Sequence, residues 1–390
     1  MLLSLAFLFL LGLALGQLCV RLHLPALVGY IAAGILLGPD VLGALQPDFL
    51  ALSAELRRLA LIVILLRAGL ALDLGALKQV GRPAVLLCFV PACFEMVGCI
   101  VLAPPLLGLT RLEAALLGAV IAAVSPAVVV PRMLSLIDRG LGTSHSIPQM
   151  ILAGSSVDDV FVLVMFSAFC SMLSGGGFSP LTLARVPVSI ALGCAAGLVI
   201  GVLFVAFFRR MLLRVTAKLL VLLALCFLLM TLEDMSPIPF SGMLAVMVLG
   251  ITILRRDAEL AQAFSAKLGS IWVAAELILF ALVGAAVDLA YVRMAGLAAI
   301  ALVLGALVFR MAGVGVSVTG TALTPRERLF SMFAYSPKAT VQAAIGGVPL
   351  AMGFACGHTV LTAAVLSILL TAPLGAFLID HFAEKLLSKP

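Results

Sequence analysis

Asp158 and Asp159 stand side by side and are the only charged residues between positions 147 and 173. That stretch is long enough and apolar enough to span a bilayer as a helix. One charge at mid-bilayer costs about 2.5–3.5 kcal/mol on insertion scales, so two adjacent ones require a reason. Neighbouring residues on a helix project about 100° apart, and both carboxylates can therefore border one cavity. Ser155 lies three residues before Asp158 and four before Asp159, so its hydroxyl shares their face. An oxygen-rich cluster of this kind suits hard cations and protons. The bland alternative is a salt-bridged structural pair, but acids inside a membrane mark ion or proton paths by default.

Two further stretches could shape such a site. Ser125-Pro126-Ala127-Val128-Val129-Val130-Pro131 and Ser336-Pro337-Lys338-Ala339-Thr340 each interrupt an apolar segment. Proline removes a backbone donor and disturbs the preceding turn. Pro126, Pro131 and Pro337 are thus expected to free carbonyls and helix ends at mid-membrane, which is tolerated only where the backbone is buried or lines a cavity. Lys338 sits at the second break, where a cation can compensate facing helix C-termini. Arg310, inside another apolar stretch, stays charged and needs an anion; Glu95 and Asp158 are the two candidates. Arg67 needs one as well, with Glu276 as a candidate, and its role is as readily structural as functional.

The elements that must position these residues follow from composition. The chain has 390 residues, 64% hydrophobic and 11% charged, with a mean hydropathy of +1.29. That describes an all-α polytopic membrane protein rather than a string of soluble domains. The apolar periods predict about thirteen transmembrane helices, over 2–19, 24–37, 56–72, 84–102, 112–136, 147–173, 188–208, 219–232, 240–254, 271–287, 295–318, 329–351 and 359–379. The N-terminal stretch lacks a charged lead-in and reads as the first span, not as a signal peptide. A tail of about ten residues follows the last span, so no soluble regulatory domain is expected.

Charge and cysteine usage exclude other classes. Of 24 Lys and Arg, sixteen fall in loops on one side, five on the other, and Arg67, Arg310 and Lys338 lie within spans. This bias sets topology, with the N-terminus outside and the C-terminus cytoplasmic in the inner (plasma) membrane. The net charge of +6 is therefore no nucleic-acid footprint. The eight cysteines lie in or beside apolar spans with no ligand spacing, and read as small buried hydrophobes. No cofactor is expected.

The chain also repeats itself. Gly69 and Asp73 match Gly284 and Asp288 at an offset of 215, which also carries Glu95 onto Arg310; an offset of 211 carries Ser125-Pro126 onto Ser336-Pro337. Spans three to five then correspond to spans ten to twelve. The shift is seven spans, an odd number, so the copies point in opposite directions. The expected architecture is an inverted six-plus-six repeat with two crossing broken helices, a transporter arrangement.

Several stretches carry a family resemblance: Arg67-Ala-Gly-Leu-Ala-Leu-Asp73, Val124-Ser-Pro-Ala-Val-Val-Val-Pro131, Ala153-Gly-Ser-Ser-Val-Asp-Asp159, Leu282-Val-Gly-Ala285 and Ser336-Pro-Lys-Ala-Thr-Val-Gln342. Together, and in this order, they resemble the monovalent cation/proton antiporter superfamily, most closely its NHA-type sodium/proton exchangers. The resemblance implies a dimerisation domain over 1–50 and 219–260, a core ion-transport domain over 51–173 and 268–390, and a linking helix over 187–210. It implies Asp159 as the main ion ligand with Asp158 beside it, and Glu95 with Arg310 as a buried ion pair. Many relatives carry a lysine where this chain has Arg310, and that lysine is thought to join the proton cycle; an arginine cannot. The long tails of animal members are absent, so regulation through a tail is not expected.

The function expected is secondary active exchange of sodium or lithium for protons, by a homodimer in lipid, with alternating access of the core domain. It is a transporter and not an enzyme. The principal alternative is a sodium-coupled symporter of an organic solute. A passive cation channel fits less well. An intramembrane aspartyl protease needs its two aspartates on separate helices, and no Gly-x-Gly-Asp occurs here.

Overall fold

The computed structural model describes the chain except residues 72–80, 176–179, 210, 212, 236–239 and 389–390, and gives no side-chain positions for Ser156, 180–187 or Asp234. Asp73 of the repeat, the basic residues Lys78, Arg210 and Lys389, and most of the 174–180 loop therefore lie outside the described residues. The regular elements among the described residues are all helices: α1 (Leu2–Arg21), α2 (Ala26–Leu37), α3 (Pro47–Ala51), α4 (Ser53–Ala71), α5 (Arg82–Leu87), α6 (Val90–Leu107), α7 (Arg111–Ile121), α8 (Pro126–Asp138), α9 (Ile147–Ser174), α10 (Pro180–Phe208), α11 (Val215–Met235), α12 (Gly242–Arg256), α13 (Ala258–Ala285), α14 (Leu289–Ser317), α15 (Pro325–Ala334), α16 (Thr340–Ile345), α17 (Val348–Ala351) and α18 (Gly357–Leu386). Nine helical stretches among them are long and apolar enough to cross a membrane, and Ala26–Leu37 and Thr340–Ala351 are shorter apolar ones. The remaining two of the thirteen expected spans fall on α4 and α12. Helix α13 starts well ahead of the expected residue 271 because Asp257 caps it, accepting the Leu260 amide at 3.0 Å.

Two compact units make up the chain. One comprises Met1–Arg57, Asp73–Val162 and Leu277–Pro390; the other comprises Arg58–Leu72 and Leu163–Glu276. In the second unit α10 packs on α12 through the glycine stripe Gly193, Gly197 and Gly201. A Cβ on Gly197 would stand 2.4 Å from the Ala245 carbonyl oxygen, so only glycine permits this approach. In the first unit α6 and α14 form the most extensive helix pair. Gly313 lies against Pro91, and a Cβ there would come within 2.8 Å of the Pro91 Cα. That contact holds Glu95 of α6 beside Arg310 of α14.

The broken helices are the centre of the first unit. Both begin with the same reciprocal cap. Thr110 accepts the Glu113 amide while Glu113 accepts the Thr110 amide, and Thr324 and Glu327 do the same at the start of α15. Both then stop abruptly, α7 at Ile121 and α15 at Ala334, and helix resumes at Pro126 and Thr340. Pro126 takes the first helical position of α8, where its missing N–H is no loss. Residues 114–125 and 334–347 are buried without interruption, as backbone with open hydrogen-bonding groups requires inside a membrane. The two breaks touch: the Ser125 amide donates to the Pro337 carbonyl at 2.8 Å.

Pro131 departs from the expectation. It lies inside α8, which runs on to Asp138, so the first interruption falls just before Pro126 and not across the whole 125–131 stretch. A proline this close to a helix start forfeits a single backbone bond, too little to end the helix.

Candidate ion-binding site

Helix α9 presents the two aspartates to the break between α7 and α8. Asp158 is fully buried, and Asp159 is 8% exposed. The Asp158 Oδ2 atom accepts two donors, the Val124 amide at 2.8 Å and Arg310 Nη2 at 3.0 Å. Its Oδ1 is buried without a hydrogen-bond partner, and so is Oδ1 of Asp159. Ser155 is buried on the same helix, its hydroxyl donating to the Leu152 carbonyl at 3.1 Å, which leaves lone pairs for a cation.

Arg310 answers the choice of partner with both. Its Nη1 lies 3.0 Å from Glu95 Oε2 while Nη2 holds Asp158. The guanidinium also donates to two backbone carbonyls, from Nε to Tyr335 at 2.7 Å and from Nη1 to Ala122. Lys338 completes the group. Its Nζ is 2.6 and 2.7 Å from the two Glu95 oxygens and 2.6 Å from the carbonyl of Ile121, the last residue of α7. The Lys338 amide donates to Thr371 Oγ1 at 3.0 Å. Glu95, Arg310 and Lys338 are each 0% exposed. The formal charges of Glu95, Asp158, Arg310 and Lys338 cancel, and Asp159 stands outside that balance.

Five backbone groups of the first break are claimed by a side chain or by the second break. Ile121, Ala122 and Ala123 offer carbonyls, and Val124 and Ser125 offer amides. Gln342, the last residue of the Ser336–Gln342 stretch but not among the expected site residues, joins the cluster: its Nε2 donates to Ile121 at 3.2 Å and to Ala123 at 2.8 Å, and its Oε1 is buried without a partner. The available signal was an amide side chain within an apolar span. Ser125 Oγ is likewise buried and unpartnered, whereas Ser336 Oγ donates to the Phe333 carbonyl at 2.7 Å. Pro337 supplies its carbonyl to Ser125, and Pro126 opens α8; Pro131 makes no part of the cluster.

Arg67 is half-buried on α4 and belongs to the second unit, as does Glu276, whose carboxyl feels the Arg67 charge. The ion cluster is built without either. Among the described residues no group of three or more His, Cys, Asp or Glu side chains is placed to hold a metal, and the eight cysteines are all free thiols. The unpartnered oxygens come instead from carboxylate, hydroxyl and amide groups, a donor set suited to a hard cation.

Known proteins resemble this chain in sequence and in fold. The chain is 33% identical to human sodium/hydrogen exchanger 9B2 over 383 residues, covering 94% of this chain and 70% of that one. It is 31% identical to human sodium/hydrogen exchanger 9B1, covering 86% and 67%. Its fold matches the sodium proton antiporter MjNhaP1 from Methanocaldococcus jannaschii with a TM-score of 0.82 across 98% of this chain and 97% of that one, at 19% identity. These relatives give no support to the alternative of a solute symporter. A family model described as sodium/hydrogen exchanger, transmembrane, matches residues 5–385, and so the chain, a multi-pass membrane protein, belongs to the sodium/hydrogen exchanger family.

Proposed function

We propose that this chain is a secondary active antiporter that exchanges sodium or lithium for protons at Asp158 and Asp159. The observation that carries the reading is the charge balance around the crossing breaks. Arg310 and Lys338 are matched by Glu95 and Asp158, and Asp159 is left as a buried carboxyl with an unpartnered oxygen. A cation or a proton neutralises it, and the two compete for the same lone pairs. A bare carboxylate is costly to carry through a low-dielectric layer, so the site crosses only when loaded. Alternation between the two loads is exchange, driven by whichever gradient is larger.

Within this reading Asp159 is the ligand that cycles, with Ser155 contributing its hydroxyl oxygen. Asp158 assists through Oδ1 while Arg310 and the Val124 amide hold its other oxygen. Glu95 and Lys338 secure the crossing of the breaks. The family resemblance supports a core domain over 51–173 and 268–390 that moves against a dimerisation domain over 1–50 and 219–260, joined by 187–210, in a homodimer embedded in lipid. The basic-loop bias supports an external N-terminus and a cytoplasmic C-terminus in the inner (plasma) membrane. Addition of sodium to proteoliposomes containing the purified protein tests the exchange: proton release from the lumen is expected. Sodium uptake without proton movement, or uptake dependent on an organic solute, would refute it.

A further inference from the structure

Tyr335 is the residue at which α15 gives way to the second break, and it is fully buried. Two contacts fix it. Its carbonyl accepts Arg310 Nε at 2.7 Å, and the Arg310 guanidinium carbon lies 5.5 Å from the ring centroid. The backbone and ring therefore explain why an aromatic residue stands here. They do not explain the hydroxyl, which is buried without a hydrogen-bond partner. An unpartnered buried hydroxyl is unfavourable, and phenylalanine would keep both Arg310 contacts without that cost.

The hydroxyl is aimed at the ion helix. A Cβ on Gly154 would lie 2.1 Å from the Tyr335 oxygen, so the absence of a side chain at 154 is what admits the phenol. Gly154 precedes Asp158 by four residues and stands about 6 Å from it along the same helix face. The surroundings at this level are apolar, with Leu87, Val124, Met150 and Ala153 in the same buried cluster as Tyr335. A neutral oxygen in an apolar wall adds a ligand for a cation without disturbing the balance of Glu95, Asp158, Arg310 and Lys338. The phenol is also held rigidly by Arg310, the residue that grips Asp158.

We propose that the Tyr335 hydroxyl is a further oxygen ligand for the transported cation, met one helical turn from Asp158 on the side of the site toward Ile147. The proposal rests on the exchange reading above. The test is Tyr335→Phe, with sodium-driven proton release measured in proteoliposomes and sodium-dependent protection against thermal unfolding measured on the purified protein. Loss of an oxygen that binds a charged group is expected to raise the apparent KM for sodium roughly tenfold, and to raise by a similar factor the sodium concentration that gives half-maximal protection. The melting temperature without sodium should be unchanged or higher. If the variant matches the wild type within about twofold in both measurements, the hydroxyl binds no cation and the assignment is wrong. Absence of sodium-driven proton movement in the wild type would overturn the exchange reading itself, a result distinct from a normal Tyr335→Phe variant.

Discussion

Arg310 holds Asp158 at 3.0 Å through a terminal nitrogen, and the oxygen it grips is the one that also accepts the Val124 amide. Two of the strongest available donors thus converge on one atom of the first aspartate. Arginine stays charged throughout, and in the proposed exchange Asp158 serves as its counterion. In that proposal the adjacent Asp159 is the acid that trades a proton for a cation.

Stoichiometry follows from that division. One proton returning for each sodium moves no net charge, and exchange is expected to be electroneutral. Proteoliposomes with equal pH and equal sodium on both sides, given an inside-positive membrane potential of about 100 mV, should accumulate no sodium. If Asp158 also cycled, two protons would return per sodium, and the same potential would favour accumulation of about fiftyfold. Voltage-driven uptake that disappears when the potential is collapsed would show that Asp158 is protonated in transport.

Glu95 neutralises two cations at once, since Arg310 and Lys338 both lie within 3.0 Å of its oxygens. Glu95→Ala should therefore destabilise the protein by about 3–5 kcal/mol, the cost of leaving buried charge unpaired. Arg310 retains Asp158 and two carbonyls in that variant, so Lys338 is the cation stranded most severely. Glu95→Ala combined with Lys338→Met should melt at a higher temperature than Glu95→Ala alone. Equal or lower melting of the double variant would mean that Lys338 is satisfied without Glu95.

Gly313 is where α14 meets the start of α6. Alanine there would place a Cβ 2.8 Å from the Pro91 Cα and 3.0 Å from the Phe94 Cβ. Backbone cannot give way as a flexible side chain does, so Gly313→Ala should cost about 1–3 kcal/mol and slow exchange by spreading Glu95 from Arg310. Wild-type melting and wild-type exchange in this variant would show that the two helices have slack.

A second acid lies outside the spans. Burial pushes the Glu327 carboxyl up, but hydrogen bonds from the Thr324 amide, the His145 ring, the Thr324 hydroxyl and the Ser388 hydroxyl outweigh it and hold the group below its ordinary value of 4.5. A lowered folded value means that the stabilisation is complete above the unfolded value and is lost as pH falls through the folded one. Melting temperature should accordingly drop on acidification below about pH 4.5, and Glu327→Gln should remove that part of the drop. An identical acid limb in the variant would deny Glu327 this contribution.

Much of this architecture was legible in local patterns. The adjacent acids, the two proline-bearing interruptions and the in-span charges Glu95, Arg310 and Lys338 all contradict an apolar background, and their order along the chain is the basis of the expected repeat. The matched Thr-x-x-Glu caps at Thr110 and Thr324 were equally local and strengthen that repeat. Pro131 misled because proline type alone does not reveal its place within a helix. Other features depend on the crossing in space. Arg310 bridges Glu95 and Asp158 instead of choosing between them, and Gln342 reaches carbonyls more than two hundred residues away in sequence. No spacing along the chain encodes such contacts.

The competition at Asp159 is tested most directly by Asp159→Asn in proteoliposomes, with sodium-driven proton release measured beside the wild type. The amide keeps the shape of the side chain but cannot exchange a proton for a cation. Exchange should be abolished while the purified variant still unfolds cooperatively, with no loss of melting temperature. Near-normal sodium/proton exchange in Asp159→Asn would contradict the assignment and place the exchanging acid elsewhere.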